Sequence, residues 1–189
     1  MLQRRDDMKT IYIPESDEFY DENTNEFFRI KETKLTLEHS LVSVSKWESI
    51  WHIAYLTDKK KTTEQVLSYI ECMTITQNVD KRIYKALSNE VIKEITEYIN
   101  NPMTASSIVE IPGSRQTTNE TVTSELIYYW MFKLGIPKDC EKWHLNRLLT
   151  LIKIYGAKEQ PPKKMSKNEI LKQNNALNAK RRARMRSRG

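Results

Sequence analysis

One segment narrows the folding options more than any other: residues 121–137, TVTSELIYYWMFKLGIP. It is too long for a single strand, and it leaves almost no polar side on a helical wheel. Gly135 with Pro137 just beyond supplies the stop signal of a helix end. A helix that is apolar nearly all round has to be enclosed, so this one is expected to be a buried central helix. Its IYYWM run (127–131) is read as core rather than as a partner groove or ligand box.

Partners that could enclose such a helix lie on both sides of it. In SVSKWESIWHIAYL (43–56), Val44, Trp47, Ile50, Trp51 and Ala54 recur at spacings of three and four, which predicts a helix. Thr62 with Gln65 has the form of a capping box, opening a helix over 63–74 with Val66, Ile70 and Met73 on one face. NVDKRIYKAL (78–87) reads as a further short helix. In SNEVIKEITEYINNP (88–102), Ser88 or Asn89 caps, Val91, Ile92, Ile95, Tyr98 and Ile99 make a stripe, and Pro102 ends it. KDCEKWHLNRLLTLIKIYG (138–156) predicts a helix with Leu145, Leu148, Leu149, Ile152 and Tyr155 on its apolar face. Arg147 and Lys153 lie opposite, and Gly156 is its stop. Four glycines among 189 residues suit helices better than a fold built on tight turns.

Strand signals are confined to the start of the chain. Thr10–Pro14 and Glu26–Ile30 are short β-like runs flanking SDEFYDENTN, a turn candidate. Leu35, Leu37, His39 and Leu41 alternate, which predicts a third strand. SSIVEIP (106–112) is a candidate short strand in an otherwise loop-like stretch. The fold class read here is mainly α: a compact helical body with a small N-terminal β element and a C-terminal basic helical extension.

Charge is distributed unevenly along the chain. From Lys158 to Gly189 there are eleven Lys/Arg and two acids, a net +9, while the whole chain carries +6, leaving −3 on residues 1–157. A body at 1–157, a Pro-containing linker at 158–165 and a basic tail at 166–189 follow from that split. Ser166 and Glu169 form a capping box opening the tail helix. With little to bury, such a helix is expected to be exposed, frayed or docked on a partner. The candidate partner-binding residues are Ile170, Leu171, Leu177, Lys180, Arg181, Arg182, Arg184, Arg186 and Arg188. The tail has no aromatic side chains to stack bases and only Leu177 and Met185 as apolar anchors near its end. That argues against specific nucleic-acid reading and against membrane binding. Phosphate contact, docking on an acidic protein and a solubilising role stay open.

No catalytic or metal constellation emerges. His39, His52, His144, Cys72 and Cys140 stand at no ligand spacing, and GxSxG, P-loop and GxGxxG patterns are absent. Neither an enzyme activity nor a cofactor is expected. In Trp51-His52 and Trp143-His144 the tryptophan is expected to pack and the histidine to bond a polar neighbour. ESDEFYDENTNE lacks the glycine and terminal glutamate spacing of a calcium loop, so it reads as a solvated turn. No run approaches the ~18 apolar residues of a membrane span, and nothing resembles a signal peptide after MLQRRDDMK. Free, buried thiols in a reducing, cytoplasmic setting are expected.

The segments LTLEHSLVSVSKWESIWHIAYL, KTTEQVLSYIECMTITQNVD, ELIYYWMFKLGIPKDCEKWHLNRLLTLIKI and QPPKKMSKNEI occur together and in this order. Their combination resembles a group of tailed-bacteriophage proteins known as tail assembly chaperones, from about Thr10 to Gly189. KWHLNRLLTLI and QPPKKMSK are the most specific parts. The resemblance implies a helical, non-enzymatic morphogenesis factor of the infected host's cytoplasm. Such a factor coats the tape-measure protein, helps recruit tail tube subunits and leaves the finished tail. It carries over no catalytic residue. Apolar stripes for helix-on-helix contact are offered by Val91/Ile95/Tyr98 or by the tail helix. The alternative is a nucleic-acid-binding or structural virion protein whose basic tail contacts phosphate, and a homo-oligomer is a further open partner.

Overall fold

The computed structural model describes residues 7–15, 18–21, 25–57, 60–106, 121–159, 171, 174, 175, 177–179, 181 and 182. The fold is mixed but helix-rich. The chain divides into two units, residues 1–155 and 156–189.

The first unit opens with a nested pair of hairpins. Strand β1 (Lys9–Ile13) pairs antiparallel with β4 (Thr33–Leu37), and β2 (Phe19–Asp21) pairs with β3 (Glu26–Phe28) between them. The period-two pattern is plain. Ile11, Ile13, Leu35 and Leu37 are buried, while Tyr12 points to solvent under Lys34. β2 falls inside the segment read as a turn, because the Phe19–Phe28 stack rewards pairing that Asp and Asn alone would not. The β4 edge is extended by residues 73–75: Glu38 N–H donates to the Met73 carbonyl at 2.8 Å and Ile75 N–H to that of Thr36 at 2.9 Å.

The third predicted strand stops at Leu37. His39 lies beyond it, and Ser40 caps helix α1 (Leu41–Trp51), so Leu41 is a helical residue. The cap is a reciprocal one between Ser40 and Ser43. α1 ends where His52 adopts a left-handed conformation (φ 54°), earlier than the apolar spacing suggests, and Ile50 is exposed. Helix α2 (Thr63–Met73) begins with the predicted Thr62–Gln65 box, with both bonds present at 3.2 and 2.9 Å. A 3-10 helix spans Lys81–Ala86, and α3 (Asn89–Asn100) is capped by Ser88. Trp47 is fully buried, and its indole N–H donates to the Gln65 carbonyl; Trp51 reaches Ser68 likewise. These two bonds tie α1 to α2 through groups that would otherwise be stranded without a partner.

Helix α4 (Ser124–Lys133) ends at the predicted stop, with Gly135 at φ +64° and Ile136 N–H returning to the Met131 carbonyl. It is not enclosed on all sides. Ser124, Ile127 and Met131 face the core, while Tyr129 is 56% and Phe132 67% exposed. After a 3-10 helix at Lys138–Lys142, α5 (Leu145–Glu159) buries Leu145, Leu148 and Ile152. Gly156 does not stop it; a glycine inside a helix costs only about 1 kcal/mol relative to alanine. Tyr155 is exposed, and Arg147 is drawn onto the body by Asp7 instead of standing free. Cys140 is buried and Cys72 half-buried, both as free thiols. The SSIVEIP segment (beyond Ser106) and the Ser166–Glu169 cap lie outside the described residues, as does the linker beyond Glu159.

A buried carboxylate places α4. Glu48, in the last turn of α1, accepts from Tyr55 N–H through Oε1 and from Ser124 N–H through Oε2, both at 2.8 Å. The second bond satisfies an open donor at the α4 N-terminus, where the helix dipole also favours negative charge. Glu48→Ala should therefore cost about 3 kcal/mol, because one buried and one part-buried N–H group lose a charged acceptor. Glu48→Gln, which keeps one carbonyl oxygen, should cost roughly half of that. Urea unfolding with an unchanged m-value is the measurement.

Candidate functional site

Two kinds of site are open to a chain like this: a cluster of titratable groups and an exposed surface. The densest titratable cluster among the described residues surrounds His39 and His144. Their rings meet edge to face with centroids 4.8 Å apart. His39 Nδ1 is 2.5 Å from the Tyr69 hydroxyl, and its backbone N–H donates to the Tyr98 hydroxyl at 3.0 Å. Tyr98 in turn donates to the Asp7 carbonyl at 2.6 Å. His144 Nε2 lies 3.1 Å from the Tyr98 carbonyl, so the proton sits on Nε2, and the buried Nδ1 has no partner among the described residues. Nearby, Arg147 pairs with Asp7 at 3.1 Å and stacks over Trp143 at 4.3 Å.

This arrangement reads as structural. Burial, reinforced by His144, pushes the His39 pKa down to about 3, and burial lowers that of His144 as well. Burial also holds the Tyr69 hydroxyl well above its ordinary range. All three groups are neutral near pH 7 and closed to solvent, so they are poor acids and bases for outside molecules. Trp143-His144 behaves as its sequence suggested, with the tryptophan packed and the histidine bonded to a carbonyl. His52 differs: its ring is exposed, and its role is to end α1. Among the described residues no three His, Cys, Asp or Glu side chains converge on a metal-sized site.

The surface offers more. Along α4, Glu125, Tyr129, Phe132 and Lys133 form one exposed face, with the Lys133 ammonium 5.8 Å from the Tyr129 ring centroid. Tyr128 stacks beside Phe132 and donates to Glu141 at 3.0 Å. By contrast the Val91/Ile95/Tyr98 stripe is turned inward, with Ile95 and Tyr98 buried, so it is packing rather than a docking face. Of the candidate tail residues, Leu171, Leu177, Arg181 and Arg182 are helical and exposed. Ile170, Lys180, Arg184, Arg186 and Arg188 lie outside the described residues. Sequence reading missed the α4 face because it took apolar character as a guarantee of burial. It missed Glu48 and Asp7 because a carboxylate within a polar stretch carries no sign of burial.

No family model, curated protein or solved structure matches the chain. Among the described residues no helix is long and apolar enough to cross a membrane.

The neutral histidines make stability depend on pH. In the unfolded chain His39 takes up a proton near its ordinary value of 6.5, whereas in the fold it does so only near 3. Its contribution is therefore complete above pH 6.5 and is lost progressively as the pH falls toward 3. Urea midpoints measured from pH 7 to 4.5 should fall accordingly. His39→Gln should start lower at pH 7 but fall less steeply.

Proposed function

We propose that this chain is a non-enzymatic phage morphogenesis factor, a tail assembly chaperone that binds the tape-measure protein during tail assembly in the host cytoplasm. The observation that carries the reading is the uncovered aromatic face of α4, Tyr129 and Phe132. Side chains of this kind, one helical turn apart, suit contact with an apolar stripe on another helix. Large aromatic side chains are also the residues that most often dominate protein interfaces. The ordered resemblance of four segments to tail assembly chaperones supports the same conclusion. So does the helical, exposed state of Leu171 and Leu177 in the tail.

A second reading, sequence-independent phosphate contact by the tail, draws on exposed Arg181 and Arg182. About six such contacts would give a log–log salt slope near −5 on duplex DNA, abolished by truncation after Pro162.

Co-expression with the long helical tape-measure protein tests the first reading. The wild-type chain should co-purify with it and keep it in the soluble fraction. Tyr129→Glu combined with Phe132→Glu should weaken binding by about 2 kcal/mol or more, roughly thirtyfold, without lowering the melting temperature. Failure of the wild-type chain to co-purify would sink the proposal. Full binding by the double variant would remove α4 as its basis.

A further inference from the structure

Between α2 and α3 the body holds a cavity of about 220 Å³ that the proposed function does not use. Val66 and Ile70 of α2 and Ile92 and Ile95 of α3 are among the residues that line it, as are Tyr55 and Lys61 from the connection between α1 and α2, with Thr96 and Asn100 adding polar groups. Its exposed wall is thus mostly apolar, with Lys61 as its one charged side chain. The Lys61 ammonium lies 4.4 Å from the Tyr55 ring centroid and 5.9 Å from that of Trp47. Among the described residues no carboxylate stands within ion-pair distance of it. Its partial burial lowers its pKa.

The cavity opens to solvent, and its mostly apolar wall favours a guest that brings an apolar body out of water. A cation held on aromatic faces at such a cavity favours a guest that ends in an anion. Size limits the choice further. A cavity of about 150 Å³ accepts benzene, and in proportion 220 Å³ accepts about eight or nine carbon atoms.

We propose that the α2–α3 cavity binds a small apolar monocarboxylate, with its hydrocarbon body between the helices and its carboxylate paired with Lys61 Nζ. The site is independent of the α4 surface. A free aliphatic or aryl-alkyl acid meets both requirements, the apolar volume and the single negative charge.

The probes are 3-phenylpropionate and its uncharged counterpart 3-phenylpropan-1-ol, titrated into the full chain and followed by amide chemical shifts. The acid should bind saturably, with shifts at Val66, Ile70, Ile92 and Ile95, and about tenfold more tightly than the alcohol, as a charge-assisted hydrogen bond would give. Lys61→Met keeps the apolar stem and should bring the two affinities together. Thr96→Trp, at an exposed α3 position that also lines the cavity, should block both probes while the protein stays folded by circular dichroism. The inference is overturned by absence of saturable binding, by a preference for the acid that survives Lys61→Met, or by binding that survives Thr96→Trp. Should Lys61→Met fail to fold, the Thr96→Trp result and the acid-to-alcohol ratio decide the matter.

Discussion

The body is organised around a single residue, His39, which is 2% exposed and bonded in three directions. Its N–H donates to the Tyr98 hydroxyl of α3, its carbonyl accepts from Leu145 N–H at the start of α5, and its ring meets Tyr69 of α2. It sits between the end of β4 and the cap of α1, so five elements depend on how it is held. Burying these polar groups is tolerable only because each main-chain group finds a partner; an unmet one would cost about 1–3 kcal/mol. The neutral state of the ring follows from the same enclosure.

Glu48 does for α4 what His39 does for the centre. Its carboxylate joins the chain after α1 to the first turn of α4 and fixes where that helix begins. With the start of the helix fixed and Ile127 and Met131 turned inward, geometry sends Tyr129 and Phe132 outward. The exposed aromatic face is thus a consequence of which side is anchored. An apolar face left uncovered on a small body is the kind of feature that marks an interaction site.

Local signals were the legible ones. Thr62 and Gln65 satisfy each other's backbone within one turn, so that helix start needs no distant partner. Ser88, Gly135 and the alternation of Leu35 and Leu37 were readable for the same reason. The Ser40–Ser43 cap was not, because a capping box usually has Glu or Gln at the third helical position, and a serine there looks ordinary. Gly156 misled in the opposite sense, since a helix stop and a tolerated helical glycine look alike in sequence.

Sequence alone determined the helix-rich character, the placement of strands at the start, the Thr62 and Ser88 caps and the basic end, because each depends on neighbours a few residues apart. It could not determine that His39, 105 positions before His144, would share an interior with it. Nor could it say that Glu48 would be buried and Tyr129 exposed. Burial is a property of what packs against a side chain, and those neighbours come from elsewhere in the chain. The α2–α3 cavity and the placement of Lys61 at it belong to the same class, as they arise only where two helices and a connecting segment fail to fill the space between them.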